Sequence, residues 1–193
     1  MFYILLDQGD PNHSDACSIT PASPRRLIPS ECFCPVCQAP LEPGRWEGPH
    51  HAEILGAQCG DLIEGAGFEM AISQVAWENF EACGITGWTL SGPLDTADSR
   101  EFVIVRPHVS LTRLDEARSE MQWLRPPSCE RCRLGVRKSV GALVFDPATL
   151  DGTDIFVPSG AYGLKVVTQK FKDCAEASKL RNFRLIPAEE YRE

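Results

Sequence analysis

Two short cysteine turns, Cys34-Pro35-Val36-Cys37 and Cys129-Glu130-Arg131-Cys132, constrain this chain more than any other feature. A C-x-x-C turn aims two thiolates at one metal ion, so two such knuckles supply the four ligands of a tetrahedral zinc site. The displacement between them is constant: 129 − 34 = 95 and 132 − 37 = 95. A shared ion would therefore staple two distant parts of the chain together.

The same displacement recurs downstream of the knuckles. Moved by 95, Ile72-Ser73-Gln74 falls on Val167-Thr168-Gln169, Glu81-Ala82 on Glu176-Ala177, Ile85 on Leu180, Trp88 on Phe183 and Leu90 on Leu185. Ser73 and Thr168 are both favourable helix N-caps. Gly87 and Asn182 are residue types that tolerate positive φ. Ala76 with Phe80 becomes Phe171 with Ala175, so a large and a small residue exchange places one helical turn apart. The pattern reads as two pseudo-repeats, residues 1–95 and 96–193, each with mixed strands and one main helix. The expected fold class is α+β, a single compact unit joined at a shared, zinc-ribbon-like site of four cysteines.

Strands are expected at Met1–Leu6, Phe102–Arg106, Val140–Phe145, Asp154–Val157 and Phe183–Ile186, and helices at Ser73–Cys83 and Thr168–Lys179. Gly84 stands where the first helix needs a left-handed residue to end. Residues 85–90 turn into a strand. Leu111, Leu114, Ala117, Met121 and Leu124 recur at helical spacing and predict a further helix before Pro126-Pro127. Residues 7–30 read as an irregular loop carrying Cys17, and residues 91–99 as a linker between the copies.

Nine cysteines, an odd number, together with the paired knuckles, favour reduced thiols and metal over a disulfide framework. Cys17, Cys32, Cys59, Cys83 and Cys174 are expected to pack as small hydrophobes. Cys37 and His50 have the C-to-H gap of a zinc finger, but the second histidine comes immediately after the first, so the finger pattern fails. His50, His51 and Cys59 stay open as replacements for a distal ligand. The short apolar start lacks a basic flank and suits a strand, so no membrane span and a cytoplasmic location are expected.

The net charge of −8 is unevenly spread. Residues 31–99 hold eleven Asp and Glu against Arg45 alone, whereas residues 100–193 hold sixteen Lys and Arg against thirteen acids. An acidic face suits a cationic protein partner, with Glu47, Glu53, Glu64 and Glu69 as candidate contacts. The sign disfavours generic nucleic-acid binding. Arg131, Arg133, Arg137 and Lys138 cluster at the second knuckle, where they would offset a zinc–tetrathiolate charge or serve an adaptor that touches nucleic acid. No metalloprotease, nucleophile-elbow, phosphate-loop or dinucleotide motif occurs, so a non-enzymatic role is expected.

The two knuckles, with VAWENFEACGITGWTL in one half and VTQKFKDCAEASKLRNFRLIP in the other, resemble the myxobacterial double-CXXCG family, regarded as immunity proteins of contact-delivered toxin systems. The likeness runs from the first strand to the tail. Gln38 and Arg133 stand where that family often has glycine after the second cysteine. The resemblance implies a protein that binds a cognate toxin and blocks it, with Cys34, Cys37, Cys129 and Cys132 as the motif residues.

Overall fold

The computed structural model describes residues 1–7, 18–21, 26–42, 44–55, 59–64, 69–96 and 101–192. In chain order the elements are β1 (Phe2–Asp7), β2 (Ser18–Pro21), β3 (Arg26–Leu27), β4 (Arg45–Trp46), β5 (His50–Leu55), β6 (Leu62–Glu64), β7 (Met70–Ser73), α1 (Gln74–Ala82) and β8 (Trp88–Asp95). There follow β9 (Phe102–Arg113), β10 (Gln122–Arg125), β11 (Val136–Ser139), β12 (Ile155–Ser159), β13 (Val166–Thr168), α2 (Gln169–Ala177) and β14 (Phe183–Pro187). The architecture is mixed α+β.

One large sheet runs β14-β1-β13-β12-β9-β8-β5-β2, with β7 on β9 and β6 on β7. Its pairings show how the chain is threaded. β1 lies between β13 and β14, in registers Tyr3↔Val167 and Leu5↔Leu185. β9 lies between β7 and β8, in registers Val103↔Ile72 and Val105↔Leu90. The N-terminal strand thus completes the sheet around α2, and β9 completes the sheet around α1. The far half of β9 runs parallel to β12, which ties the two groups of strands into one sheet.

Both helices begin and end by the same devices. Ser73 Oγ accepts the Ala76 N–H at 3.1 Å, and Thr168 Oγ1 accepts the Phe171 N–H at 3.4 Å. At the other ends Ile85 donates to Phe80 and Leu180 to Ala175, each at about the usual N–H···O distance, after a left-handed residue. Those residues are Gly84 at φ 63° and Lys179 at φ 53°. α1 starts at 74 and α2 at 169, again 95 apart, as are the two left-handed residues. Between the helices Phe80 stacks on Phe171 with ring centroids 4.5 Å apart, and the small partners Ala76 and Ala175 are fully buried. Trp88 packs against both rings in T-shaped contacts.

The turns after the helices are clasped across the molecule. Asp61 receives the Arg181 N–H on Oδ2 at 2.7 Å and the Ser73 hydroxyl on Oδ1 at 2.8 Å. Asp154 receives the Thr86 N–H on Oδ2 at 3.1 Å and the Thr168 hydroxyl on Oδ1 at 2.9 Å. Each carboxylate therefore braces the capping residue of one helix and holds the chain leaving the other. A Cβ on Gly87 would meet the Ile155 carbonyl oxygen at 2.1 Å, so this crossing needs glycine.

Four local expectations are corrected. No helix forms over Leu111–Leu124: Leu111 to Arg113 are drawn into β9, residues 116–120 form turns, and Gln122–Arg125 pairs with β11. Leu111 and Leu124 end exposed, so the apolar spacing does not mark one buried face. Val140–Phe145 is not a strand. Its Val140, Leu143 and Phe145 are buried in an irregular segment fastened by Ser119, whose carbonyl accepts the Gly141 N–H and whose hydroxyl accepts that of Val144. The expected linker is largely strand, since Ser91 to Asp95 belong to β8; residues 97–100 lie outside the described residues. The expected loop over 7–30 carries β2 and β3, while Cys17 lies outside the described residues.

The thiols are also paired differently. Cys83, capping α1, and Cys174, within α2, form a disulfide with Cα atoms 6.3 Å apart. Sequence spacing alone does not bring them together; the helix–helix packing does. Cys59 is likewise disulfide-bonded. No helix among the described residues is long and apolar enough to cross a membrane.

Candidate metal centre

The knuckles are tight turns of matching form. Gln38 N–H donates to the Cys34 carbonyl at 2.9 Å, and Arg133 N–H to that of Cys129 at 2.8 Å. Both closing residues are left-handed, Gln38 at φ 58° and Arg133 at φ 51°. These are the positions after the second cysteine at which glycine would be least strained. Ala39 fixes the entry by accepting the Cys34 N–H at 2.8 Å.

This geometry gathers Cys34, Cys37, Cys129 and Cys132, whose sulfurs all lie within 4.8 Å of one another. Cys34 Sγ is 3.8 Å from Cys129 Sγ, and Cys37 Sγ is 3.6 Å from Cys132 Sγ. With Zn–S bonds of about 2.3 Å, a tetrahedral ion has sulfur–sulfur edges of about 3.8 Å. The cross-knuckle spacings therefore suit a single ion such as zinc. Three of the four cysteines are buried; Cys37 is exposed.

Backbone amides prepare the ligands. The Cys37 N–H lowers the Cys34 thiol from its ordinary range to about 7, with help from the Val36 N–H. The Cys132 and Arg131 amides lower Cys129 in the same way. Burial pushes Cys132 the other way, up to about 12. The first cysteine of each knuckle is thus biased toward the thiolate, the form that binds metal.

Two supporting residues escape any motif. Tyr162 donates its hydroxyl to the Cys132 carbonyl at 3.0 Å, and Ser159 donates its own at 3.3 Å. Both lie near the end of β12, about thirty residues along the chain. The one sequence sign of this contact is Gly160, where a Cβ would stand 3.1 Å from Arg133.

The other candidates lie elsewhere. His50 is buried and its Nε2 faces the Trp46 carbonyl, while His51 pairs with Asp95 at 2.8 Å. Neither histidine nor Cys59 joins the cysteine cluster. At the second knuckle Arg133 is held by Glu130 at 2.6 Å and by Glu116, so its charge is already met by carboxylates.

The four acidic candidates separate. Glu47 and Glu53 are exposed. Glu64 accepts the buried Lys165 ammonium at 2.9 Å. Glu69 is 2% exposed and accepts the Trp46 N–H at 2.8 Å, with Arg26 Nη1 at 3.7 Å. It anchors the β3–β4 hairpin from within, and this position takes it out of the expected acidic face.

No protein-family model matches the chain, and no curated protein is similar enough to count as a relative.

Proposed function

We propose that this chain is a zinc-stapled binding protein that neutralises a cognate, contact-delivered bacterial toxin by occupying its surface. The observation that carries the reading is the closed donor set: four cysteine sulfurs at cross-knuckle spacings of 3.8 and 3.6 Å use every position of a tetrahedral ion. Such a site holds structure and leaves no position for water or substrate. The knuckles are also the residues on which the resemblance to the double-CXXCG immunity family rests.

The scaffold itself is two copies of one unit, residues 1–95 and 96–193, that have exchanged first strands. The recurrence at 95 of knuckles, N-caps, helices and left-handed turns supports this. So does the equal placing of β1 and β9, each between the two strands flanking a helix. Glu47 and Glu53 provide an acidic contact for a cationic toxin. The adaptor alternative, nucleic-acid binding through Arg131–Lys138, is weakened because Arg133 is already paired with two glutamates.

The test is affinity capture of the tagged chain from its own cells, with and without nuclease, followed by mass spectrometry. One stoichiometric protein partner that survives nuclease, and whose toxicity the chain suppresses on co-expression, is the expected result. Partners that vanish with nuclease would move the function to nucleic acid.

A further inference from the structure

Beside the two knuckles the surface opens into a cleft of about 810 Å³, whose lining includes Gln38 and Arg131. Its lining includes Arg106, His108, Ser110 and Leu111 of β9, where the pairing with β12 shifts register. Nothing in the metal centre accounts for what these residues do.

The charges in the cleft are of two kinds. Glu42 is clamped by Arg106 Nη1 at 2.6 Å, and both side chains are nearly buried, 11% and 13% exposed. Arg45 stands beside them with its Nε 3.9 Å from Glu42. That Nε is buried and has no hydrogen-bond partner among the described residues. Arg45 Nη1 instead reaches Glu31 at 2.8 Å, and Glu31 is 58% exposed. Among the described lining residues, three arginines meet two glutamates beside the cysteine centre. His108 adds no positive charge at neutral pH, because burial and the Arg106 guanidinium hold it below the ordinary histidine range. The remaining wall mixes apolar Phe33, Leu41 and an exposed Leu111 with polar Ser30, Gln38, Ser159 and Tyr162.

We propose that this cleft binds an organic carboxylate, its carboxyl group replacing Glu31 on Arg45 and its apolar body lying against Phe33 and Leu111. The Glu42–Arg106 pair is too desolvated to exchange, since breaking a buried pair strands a charge. The Glu31–Arg45 pair is open to water, which screens it, so a competing carboxylate displaces it at little cost. The guanidinium fork suits a carboxylate in plane. A monoanion also meets less repulsion from the neighbouring four-cysteine centre than a phosphate dianion would. This inference stands apart from the immunity reading.

Phenylacetate is the probe, titrated into the full chain while the Arg45 Nε–H and Leu111 methyl signals are followed by NMR. Phenylacetamide, of the same shape and uncharged, is the control. Saturable shifts at about millimolar concentration are expected for a ligand of this size. The amide is expected to give none. Glu31→Gln removes the competing carboxylate and should tighten phenylacetate binding by about threefold. Arg45→Gln should abolish it. The dipeptide N-acetyl-Gly-Phe separates the sources of such a ligand: tighter binding than phenylacetate assigns a peptide terminus, equal or weaker binding a free acid. Absence of saturable shifts in both wild type and Glu31→Gln overturns the proposal, as does an equal response to phenylacetamide.

Discussion

Asp154 holds Thr86 twice across the molecule, its Oδ2 receiving both the Thr86 N–H and the Thr86 hydroxyl at 3.1 Å. The same carboxylate accepts Lys170 at 3.1 Å and, through Oδ1, Thr168 at 2.9 Å. Burial pushes the pKa of this carboxyl up, but the bonds from Lys170, Thr168 and Thr86 outweigh it and hold the group below the usual aspartate range. Removing the carboxylate strands several donors at once. Asp154→Ala is expected to cost about 2–4 kcal/mol at pH 7, read by urea denaturation.

The pH dependence follows from the same direction of shift. A carboxyl depressed in the folded state stabilises fully above its unfolded value, about 3.9, and loses that contribution as pH falls through the folded value. The stability gap between wild type and Asp154→Asn should therefore be widest near neutrality and close in strong acid. A gap that is the same at pH 7 and pH 2 would leave Asp154 a neutral spacer.

The two helices were legible in the sequence because Ser73 and Thr168 announce their starts and Gly84 one of their stops. The knuckles were legible because ligand spacing is local. What could not be read was which strand pairs with which: Tyr3 meets Val167 through pairing that leaves no mark along the chain. The Cys83–Cys174 disulfide was hidden for the same reason, since it depends on how α1 and α2 pack. Leu111–Leu124 misled because β9 continues into it to pair with β12, and long-range pairing overrides local spacing.

Left-handed backbone at non-glycine residues offers a direct gain. Lys179 caps α2 at φ 53° and Gln38 closes the first knuckle at φ 58°. A side chain in this region costs about 1 kcal/mol. Lys179→Gly should raise stability by several tenths of a kcal/mol or more, after the greater freedom of an unfolded glycine is subtracted. Gln38→Gly should do likewise with unchanged metal content. Calorimetric midpoints check both, and a fall in either would mean that the side chain makes contacts that outweigh the strain.

Metal removal should loosen the whole molecule, because the four cysteines join distant parts of the chain. Dialysis against a chelator is expected to lower the thermal midpoint by about 10 °C or more, consistent with a contribution of several kcal/mol. Re-addition of zinc should restore it at one ion per chain. Cys37→Ser should lose the ion, whereas Cys32→Ser should keep it, since Cys32 lies outside the cluster despite its place beside Cys34. Equal zinc content in wild type and both variants would rule out the four-cysteine assignment.

Charge reversal separates the exposed acids from the structural ones. Glu47→Lys with Glu53→Lys should slow association with a cationic partner by about tenfold at low salt and leave stability unchanged, because both side chains are solvated. Glu69→Lys should instead destabilise the fold, because it forces a cation into a buried site and leaves the Trp46 N–H without its acceptor. Surface-captured toxin and stopped-flow rates read the first effect, denaturation the second. Unchanged association by the double reversal would remove Glu47 and Glu53 from the interface.

Strand exchange makes the most stringent demand. If β1 completes the sheet around α2 and β9 completes the sheet around α1, a break in the chain at residues 97–100 leaves each fragment without a central strand of its own sheet. Each fragment also keeps only one knuckle, half of a zinc site. Fragments 1–96 and 97–193 should therefore be unfolded separately and bind zinc weakly. Mixed in equal amounts with zinc, they should assemble into a one-to-one complex with the far-ultraviolet spectrum of the intact chain. The expected complex depends on metal, because the knuckles supply the link that the broken peptide no longer does. A fragment that folds alone, with its own zinc and native spectrum, would show that the halves are independent domains and that the exchange of strands is not what holds them together.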